Sequence, residues 1–204
     1  MFPPFDRTTG QQSFAGMDSP DCCSLEKQAV GPEGPETCGA TDALPDAGNT
    51  CATCTRKVAW SWLNFDEIPA PQLYSALRLR QDIFIVEQGV PYPDIDGKDL
   101  QSRHLFGVAQ GGLVAYLRAL PCGLFEPGYV SFGRVVVRRE ARGSGLGRAM
   151  VQKCIDYLDK NQKGAPIKIS SQLYLKRFYA GFGFEALGEP YIEDMIPHIA
   201  MIRR

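Results

Sequence analysis

The stretch YVSFGRVVVRREARGSGLGRAMVQKCIDYLDK constrains this chain more than any other. Its first nine residues, rich in valine and aromatic side chains, read as a strand. A turn follows, with Gly143, Gly145 and Gly147 at alternate positions and basic residues on both sides. Beyond it Leu146, Met150, Cys154 and Leu158 recur at helical spacing and define one apolar face. Strand, glycine turn and helix in direct succession belong to an α/β arrangement in which a helix packs on a sheet. The turn also has the parts of an anion site. Amides at a helix N-terminus are aimed outward, the helix dipole favours negative charge there, and the missing Cβ atoms let a phosphate come close. The same glycines would equally serve a tight turn with no ligand.

Three phosphate-cradling patterns can be compared with the turn. A P-loop ends in Gly-Lys-Ser/Thr, whereas Gly147 is followed by Arg148 and Ala149. A dinucleotide fingerprint needs Gly-x-Gly-x-x-Gly, whereas these glycines run Gly-x-Gly-x-Gly. What remains is Arg-x-x-Gly-x-Gly, formed by Arg142, Gly145 and Gly147.

The surrounding sequence supplies the other elements. APQLYSALRLRQDIFIVEQ spaces Leu73, Leu77 and Ile83 as a helix does, and turn chemistry follows in GVPYPDIDGKD. RHLFGVA and LVAYLRAL flank Gly111–Gly112 and read as a hairpin. YVSFGRVVVR is expected to be a long central strand. PIKISSQ reads as a short buried strand, LYLKRFYAGF as a short helix, and FEALGE and HIAMI as final strands. The order predicts a mixed sheet with helices on its faces.

Residues 1–57 stand apart. The first 55 residues hold eight acidic and two basic side chains, no Tyr or Trp, and repeated Gly and Pro. Such a segment buries too little apolar surface to offset its ordering entropy, so a disordered acidic leader is expected over 1–57 and a folded domain over 58–204. Five of the seven cysteines lie in the leader, among them the Cys51–Cys54 pair. That spacing can grip zinc, but no second pair at suitable spacing and no histidine is near, so free thiols and no metal are expected. No apolar run reaches the roughly 20 residues of a membrane helix. The N-terminus has no secretory h-region, and a formal net charge of -1 gives no support for nucleic-acid binding. These features together predict a cytoplasmic protein without membrane or nucleic-acid partners.

The Arg-x-x-Gly-x-Gly turn resembles the coenzyme A diphosphate loop of the GNAT superfamily of N-acyltransferases. LRLRQDIFIVEQGVPYPDIDGKDLQSRHL, AYLRAL, FGRVVVRREARGSGLG, SSQLYLKRFYAGFGF and YIEDMIPHIAMI fall in the order found in its ElaA-like branch, over about residues 60–204. The resemblance implies a GNAT fold, α/β (α+β), with a central mixed β-sheet flanked by helices. It implies acetyl-CoA as co-substrate, a small-molecule or peptide amine as acceptor, and a monomer or homodimer. It places the pantetheine beside Val135, Val136 and Val137, and the diphosphate on the amides of Arg142, Gly143, Ser144, Gly145, Leu146, Gly147 and Arg148. One departure is Met195, where the branch pattern EDGIPH has Gly; Gly permits a positive φ and Met resists it.

Direct attack of an amine on a thioester needs an uncharged amine, a polarised carbonyl and a proton for the departing thiolate. In relatives a carboxylate on the splayed strand can serve as base, but YVSFGRVVVR has none. Glu87, Glu193, Asp194 and His198 are the candidates. The resemblance points to Tyr179 as proton donor to the thiolate, although Phe178, Tyr179, Phe182 and Phe184 also read as an aromatic core cluster. Arg134 shares a period-2 face with Val130, Phe132 and Val136, so its charge needs a partner, for which Glu87, Asp94, Asp96 and Asp99 are available. Phe132 and Phe178, expected near the thioester, favour a short acyl group. Two other readings remain open. One is an acyl-CoA-binding sensor or partner-binding module without turnover. The other rests on a fainter likeness of LRQDIFI and DIDGKD to acyl-homoserine-lactone synthases.

Overall fold

The computed structural model describes residues 58–162 and 164–204; the predicted leader and its cysteine pair lie outside the described residues. Seven strands and three α-helices follow one another in the described part. They are β1 (Ala59–Asn64), α1 (Ala70–Arg80), β2 (Arg103–Ala109), β3 (Gly112–Leu120), β4 (Ser131–Val137), α2 (Leu146–Asn161), β5 (Ile167–Gln172), α3 (Lys176–Ala180), β6 (Glu185–Glu193) and β7 (Ile196–Arg203). The sequence reading had no counterpart for β1, which pairs antiparallel with β2 from Ala59↔Val108 to Asn64↔Arg103.

The predicted mixed sheet consists of two antiparallel halves, β1-β2-β3-β4 and β5-β7-β6. A single parallel bridge, Val130↔Ile167, joins them. Val130 N–H donates to the Pro166 carbonyl at 3.1 Å, and Lys168 N–H donates to the Val130 carbonyl at 2.9 Å. Beyond this clasp the two strands are no longer paired. β4 is therefore the edge of its own half rather than the central strand expected, and its outer backbone faces a gap.

The helices sit on opposite faces of the first half. Ala76 and Leu79 of α1 pack with Phe106, Tyr116 and Val136. On the other face Met150, Val151, Cys154, Ile155 and Leu158 of α2 pack with Leu105, Leu117 and Phe132. The apolar spacing of α2 makes this a continuous stripe. The β2–β3 hairpin turns at Gln110 and Gly111, with φ of 52° and 72°, one residue earlier than the glycine pair suggests. Two left-handed residues in a two-residue loop match the right-handed twist of the flanking strands.

The first helix stops being α-helical at Arg80. Gln81–Glu87 continue as a π-helix, in which Gln88 N–H reaches the Ile83 carbonyl at 3.1 Å. Widened turns of this kind are uncommon and gather at functional sites. The segment that follows, residues 88–102, is pinned over the sheet by charge. Arg80, only 1% exposed, holds Asp94 through Nε at 2.8 Å and Asp99 through Nη1 at 2.9 Å. Arg118 grips both oxygens of Asp96 at 2.7 and 2.8 Å and reaches Asp99 at 3.0 Å. Buried charges persist only when paired and hydrogen-bonded in this way. His104 joins the same network as a fully satisfied core residue, with Nδ1 2.7 Å from Tyr116 Oη and Nε2 2.9 Å from the Asp99 carbonyl.

Arg134 departs from the period-2 expectation. Val136 pairs with Tyr116 and Gly133 with Arg118, so Arg134 and Val135 together lie opposite Leu117. This is a β-bulge, and Arg134 takes φ = 53° within it. The extra residue reverses the alternation. Val130 and Phe132 face the α2 core, whereas Val136 faces the α1 core.

Candidate active site

The bulge turns Arg134 toward the 88–102 segment. Its Nη2 donates to the Asp94 carbonyl at 3.0 Å and to Asp96 Oδ2 at 3.3 Å. Its Nε lies 2.6 Å from Asp94 Oδ1, a close charge contact in which the N–H is not directed at the oxygen. Arg134 thus ties β4 to the wall above it.

Between the diverging edges of β4 and β5 lies a cleft of about 350 Å³. Phe132, Gly133, Arg134 and Val135 form one side, and Ile169 through Gln172 form the other. Tyr179, Glu193, Asp194 and His198 also line it. The fold therefore gathers Tyr179 and three of the four candidate bases, Glu193, Asp194 and His198, around one opening.

Glu87 goes elsewhere. Its two oxygens accept from Arg142 Nη1 and Nη2 at 2.6 and 3.0 Å, and Arg142 Nε donates to the Val137 carbonyl at 3.1 Å. The Arg142 hydrogen bond holds the Glu87 carboxyl below its ordinary pKa, so it is a poor proton acceptor. The end of the π-helix is thereby latched to the start of the glycine turn.

That turn is built for open access. Gly143 and Gly145 take φ of 76° and 80°, and a Cβ at either would meet nothing within 4 Å. Gly145 is the N-cap of α2 and has no side chain with which to cap it. The neighbouring Ser144 hydroxyl donates backward to the Ala141 carbonyl at 2.7 Å. The first amides of this sixteen-residue helix, those of Leu146, Gly147 and Arg148, are left without a side-chain cap. Such a terminus suits a diphosphate. Arg148 lies over the rings of Phe178 and Phe182, 5.8 and 5.0 Å from their centroids. Phe178 packs edge-on against Tyr179 and does not line the cleft, whereas Phe132 does, together with Phe84 and Phe125.

Tyr179 is 6% exposed. Burial pushes its hydroxyl well above the ordinary tyrosine value, with smaller contributions from Cys154 and Tyr174. It therefore keeps its proton far into the alkaline range. On the opposite wall the Ser170 hydroxyl donates to Glu193 Oε2 at 2.6 Å and lies 2.6 Å from Tyr191 Oη. The Tyr191 ring lies near-parallel to the His198 imidazole, with 26° between planes and 6.3 Å between centroids. His198 Nδ1 sits 2.8 Å from the Ile196 carbonyl. A carbonyl only accepts, so Nδ1 carries the hydrogen and Nε2 of the neutral ring keeps its lone pair. Ser170 and Tyr191 were missed in the sequence. Nothing in IKISSQ marks Ser170 over Ser171; only the β5–β7–β6 pairing brings it to Glu193.

Known proteins share this construction. A family model described as an acetyltransferase (GNAT) domain matches residues 99–204. The chain belongs to the GNAT acetyltransferase family. It is 43% identical over 151 residues to the Synechocystis protein named UPF0039 protein sll0451, covering 72% of this chain and 96% of the relative. It is 40% identical over 149 residues to protein ElaA of Escherichia coli, again 72% of this chain and 96% of the relative. The crystal structure of an acyl-CoA N-acyltransferase from Pseudomonas aeruginosa superposes with a TM-score of 0.69 at 37% identity, covering 72% of this chain and all of that one. As a GNAT member the protein is an acyl-CoA-dependent N-acyltransferase. Among the described residues no helix is long and apolar enough to cross a membrane, and no group of His, Cys, Asp and Glu is arranged to hold a metal.

Proposed function

We propose that this GNAT protein transfers an acetyl group from acetyl-CoA to a primary amine by direct attack, without an acyl-enzyme. The observation that carries this reading is the gap that opens after the Val130–Ile167 bridge. The free edge of β4, Tyr179, Glu193 and His198 all border it. Acetyl-CoA supplies the activated acyl group. The amides from Arg142 through Arg148 hold its diphosphate, and the Glu87–Arg142 latch fixes the first of them. The outer backbone of β4 at Val135, Val136 and Val137 hydrogen-bonds the pantetheine arm, with an amide near Val135 holding the thioester carbonyl oxygen.

His198 Nε2 or Glu193 takes a proton from the incoming ammonium, directly or through water. The amine then attacks, the new C–N bond forms, the C–S bond breaks, and Tyr179 gives the departing sulfur its proton. The first proton passes on to solvent, and the second amine proton returns through water in the cleft to Tyr179, so the products are amide, free thiol and one released proton. Phe132 limits the length of the acyl group.

The test is release of free CoA from acetyl-, butyryl- and octanoyl-CoA in the presence of primary amines, with mass spectrometry of the protein during turnover. Amine-dependent CoA release fastest with acetyl-CoA, with no acetylated protein intermediate, is expected. Tight acyl-CoA binding with no release for any amine would make the protein a sensor. A preference for octanoyl-CoA would point to a long-chain acyl amide as product.

A further inference from the structure

The acceptor end of the cleft carries a charge pattern that the proposed reaction does not itself require. β4 runs from Ser131 toward the glycine turn, so its early residues lie farthest from the diphosphate loop. Gly133 pairs with Arg118, and Arg118 in turn holds Asp96. Lys98 lines the cleft at this level, two residues beyond Asp96, and its own N–H donates to Asp96 Oδ1 at 3.1 Å.

Its side-chain charge is surplus. Arg80, Arg118 and Arg134 are balanced by Asp94, Asp96 and Asp99, three positive against three negative. Lys98 is half-buried, and among the described residues its ammonium has no ion-pair partner. The opposing wall shows the reverse surplus. Glu193 and Asp194 border the cleft, and among the described residues neither is ion-paired. A cleft with an unpaired cation on one wall and unpaired carboxylates on the other matches a molecule that carries both charges.

We propose, building on the acyltransferase reading above, that the acceptor is a small amino-carboxylate. Its ammonium is received between Glu193 and His198, and its carboxylate is recognised by Lys98. Simple diamines and polyamines lack the group that Lys98 would recognise and bring a second positive charge toward it.

The experiment uses matched pairs differing only in the carboxylate: L-phenylalanine against phenethylamine, L-lysine against cadaverine, and 4-aminobutyrate against propylamine. Acetyl-CoA binding is measured alongside acceptor-dependent CoA release. The acid member of at least one pair is expected to exceed its partner at least tenfold in kcat/KM. Lys98→Met should bring that ratio to within about twofold, and Lys98→Arg should keep it. Equal or better use of the plain amines overturns the proposal, and so does a preference that survives in Lys98→Met. If acetyl-CoA binds and no member of any pair raises CoA release, the amino-carboxylate assignment falls while the CoA site stands. If acetyl-CoA does not bind, the acyltransferase reading of this cleft falls with it.

Discussion

Arg142 holds both carboxylate oxygens of Glu87, a residue 55 positions earlier, at 2.6 and 3.0 Å. A side chain that reads in the sequence as a candidate base is therefore latched to the start of the glycine turn instead. Glu87→Gln should leave the acid limb of the pH–rate profile where it is. Acetyl-CoA affinity should fall modestly, by up to about fivefold, because a partly exposed pair contributes no more than about 1 kcal/mol. Isothermal titration with acetyl-CoA and a kcat profile over pH 5–9 check both statements. Loss of the acid limb would return Glu87 to the role of base.

Gly145 takes φ = 80° at the start of α2. Gly145→Val introduces a branched side chain in a left-handed conformation, at a cost of about 1–2 kcal/mol in stability. It also places bulk where a diphosphate would approach. Acetyl-CoA affinity should drop about 30-fold or more, the scale of roughly 2 kcal/mol for lost charge-assisted hydrogen bonds. Near-UV circular dichroism verifies the fold before titration, and a folded variant with wild-type affinity would contradict the assignment of this loop.

Tyr179→Phe removes one hydroxyl and keeps the ring against Phe132 and Phe184. We expect kcat to fall about 100-fold, or ~2.7 kcal/mol, with acetyl-CoA affinity changed by no more than a few-fold. Burial raises the Tyr179 pKa above its ordinary value of about 10. The wild-type enzyme should accordingly show no alkaline loss of kcat from this group up to about pH 10. A variant with most of its turnover intact would leave Tyr179 as a core residue only.

Met195 follows Asp194 at the β6–β7 turn, with φ of 62° and 47°, so the turn keeps the left-handed geometry that a glycine would suit. Its side chain is exposed and anchors nothing in the core. A non-glycine residue in this region costs about 1–2 kcal/mol, while glycine loses about 0.4–1 kcal/mol through a freer unfolded chain. Relief of strain therefore outweighs the entropy lost. Met195→Gly should raise stability by roughly 0.5–1 kcal/mol, read as a 2–3 °C rise in Tm for a domain of this size. A lower Tm would place a stabilising contact on the methionine.

Asp96 and Asp99 carry a pH dependence of known sign. Burial alone would raise both, but hydrogen bonds and charge from Arg118, joined by Arg80 at Asp99, hold both below the ordinary carboxylate value. A carboxylate depressed in the folded state contributes stability above its unfolded pKa of about 3.9 and loses it as pH falls below that. Urea midpoints should be level from pH 7 to about pH 5 and drop between about pH 4 and pH 2. Equal midpoints at pH 7 and pH 3 would mean that these carboxylates are not held ionised.

What the sequence determined was local. Val130–Val137, Gly143, Gly145 and the stripe from Met150 to Leu158 specify strand, turn and helix because each preference acts within a few residues: β-branching, freedom at positive φ, and 3.6-residue periodicity. The tertiary structure decided which groups meet. It sent Glu87 to Arg142, reversed the alternation of β4 through the bulge at Arg134, closed three arginines on three aspartates, and set Ser170 between Tyr191 and Glu193. Each of these partnerships joins residues from different elements. A side chain's type records that it needs a partner, but only the packing of sheet and helices limits which partners come within hydrogen-bond reach.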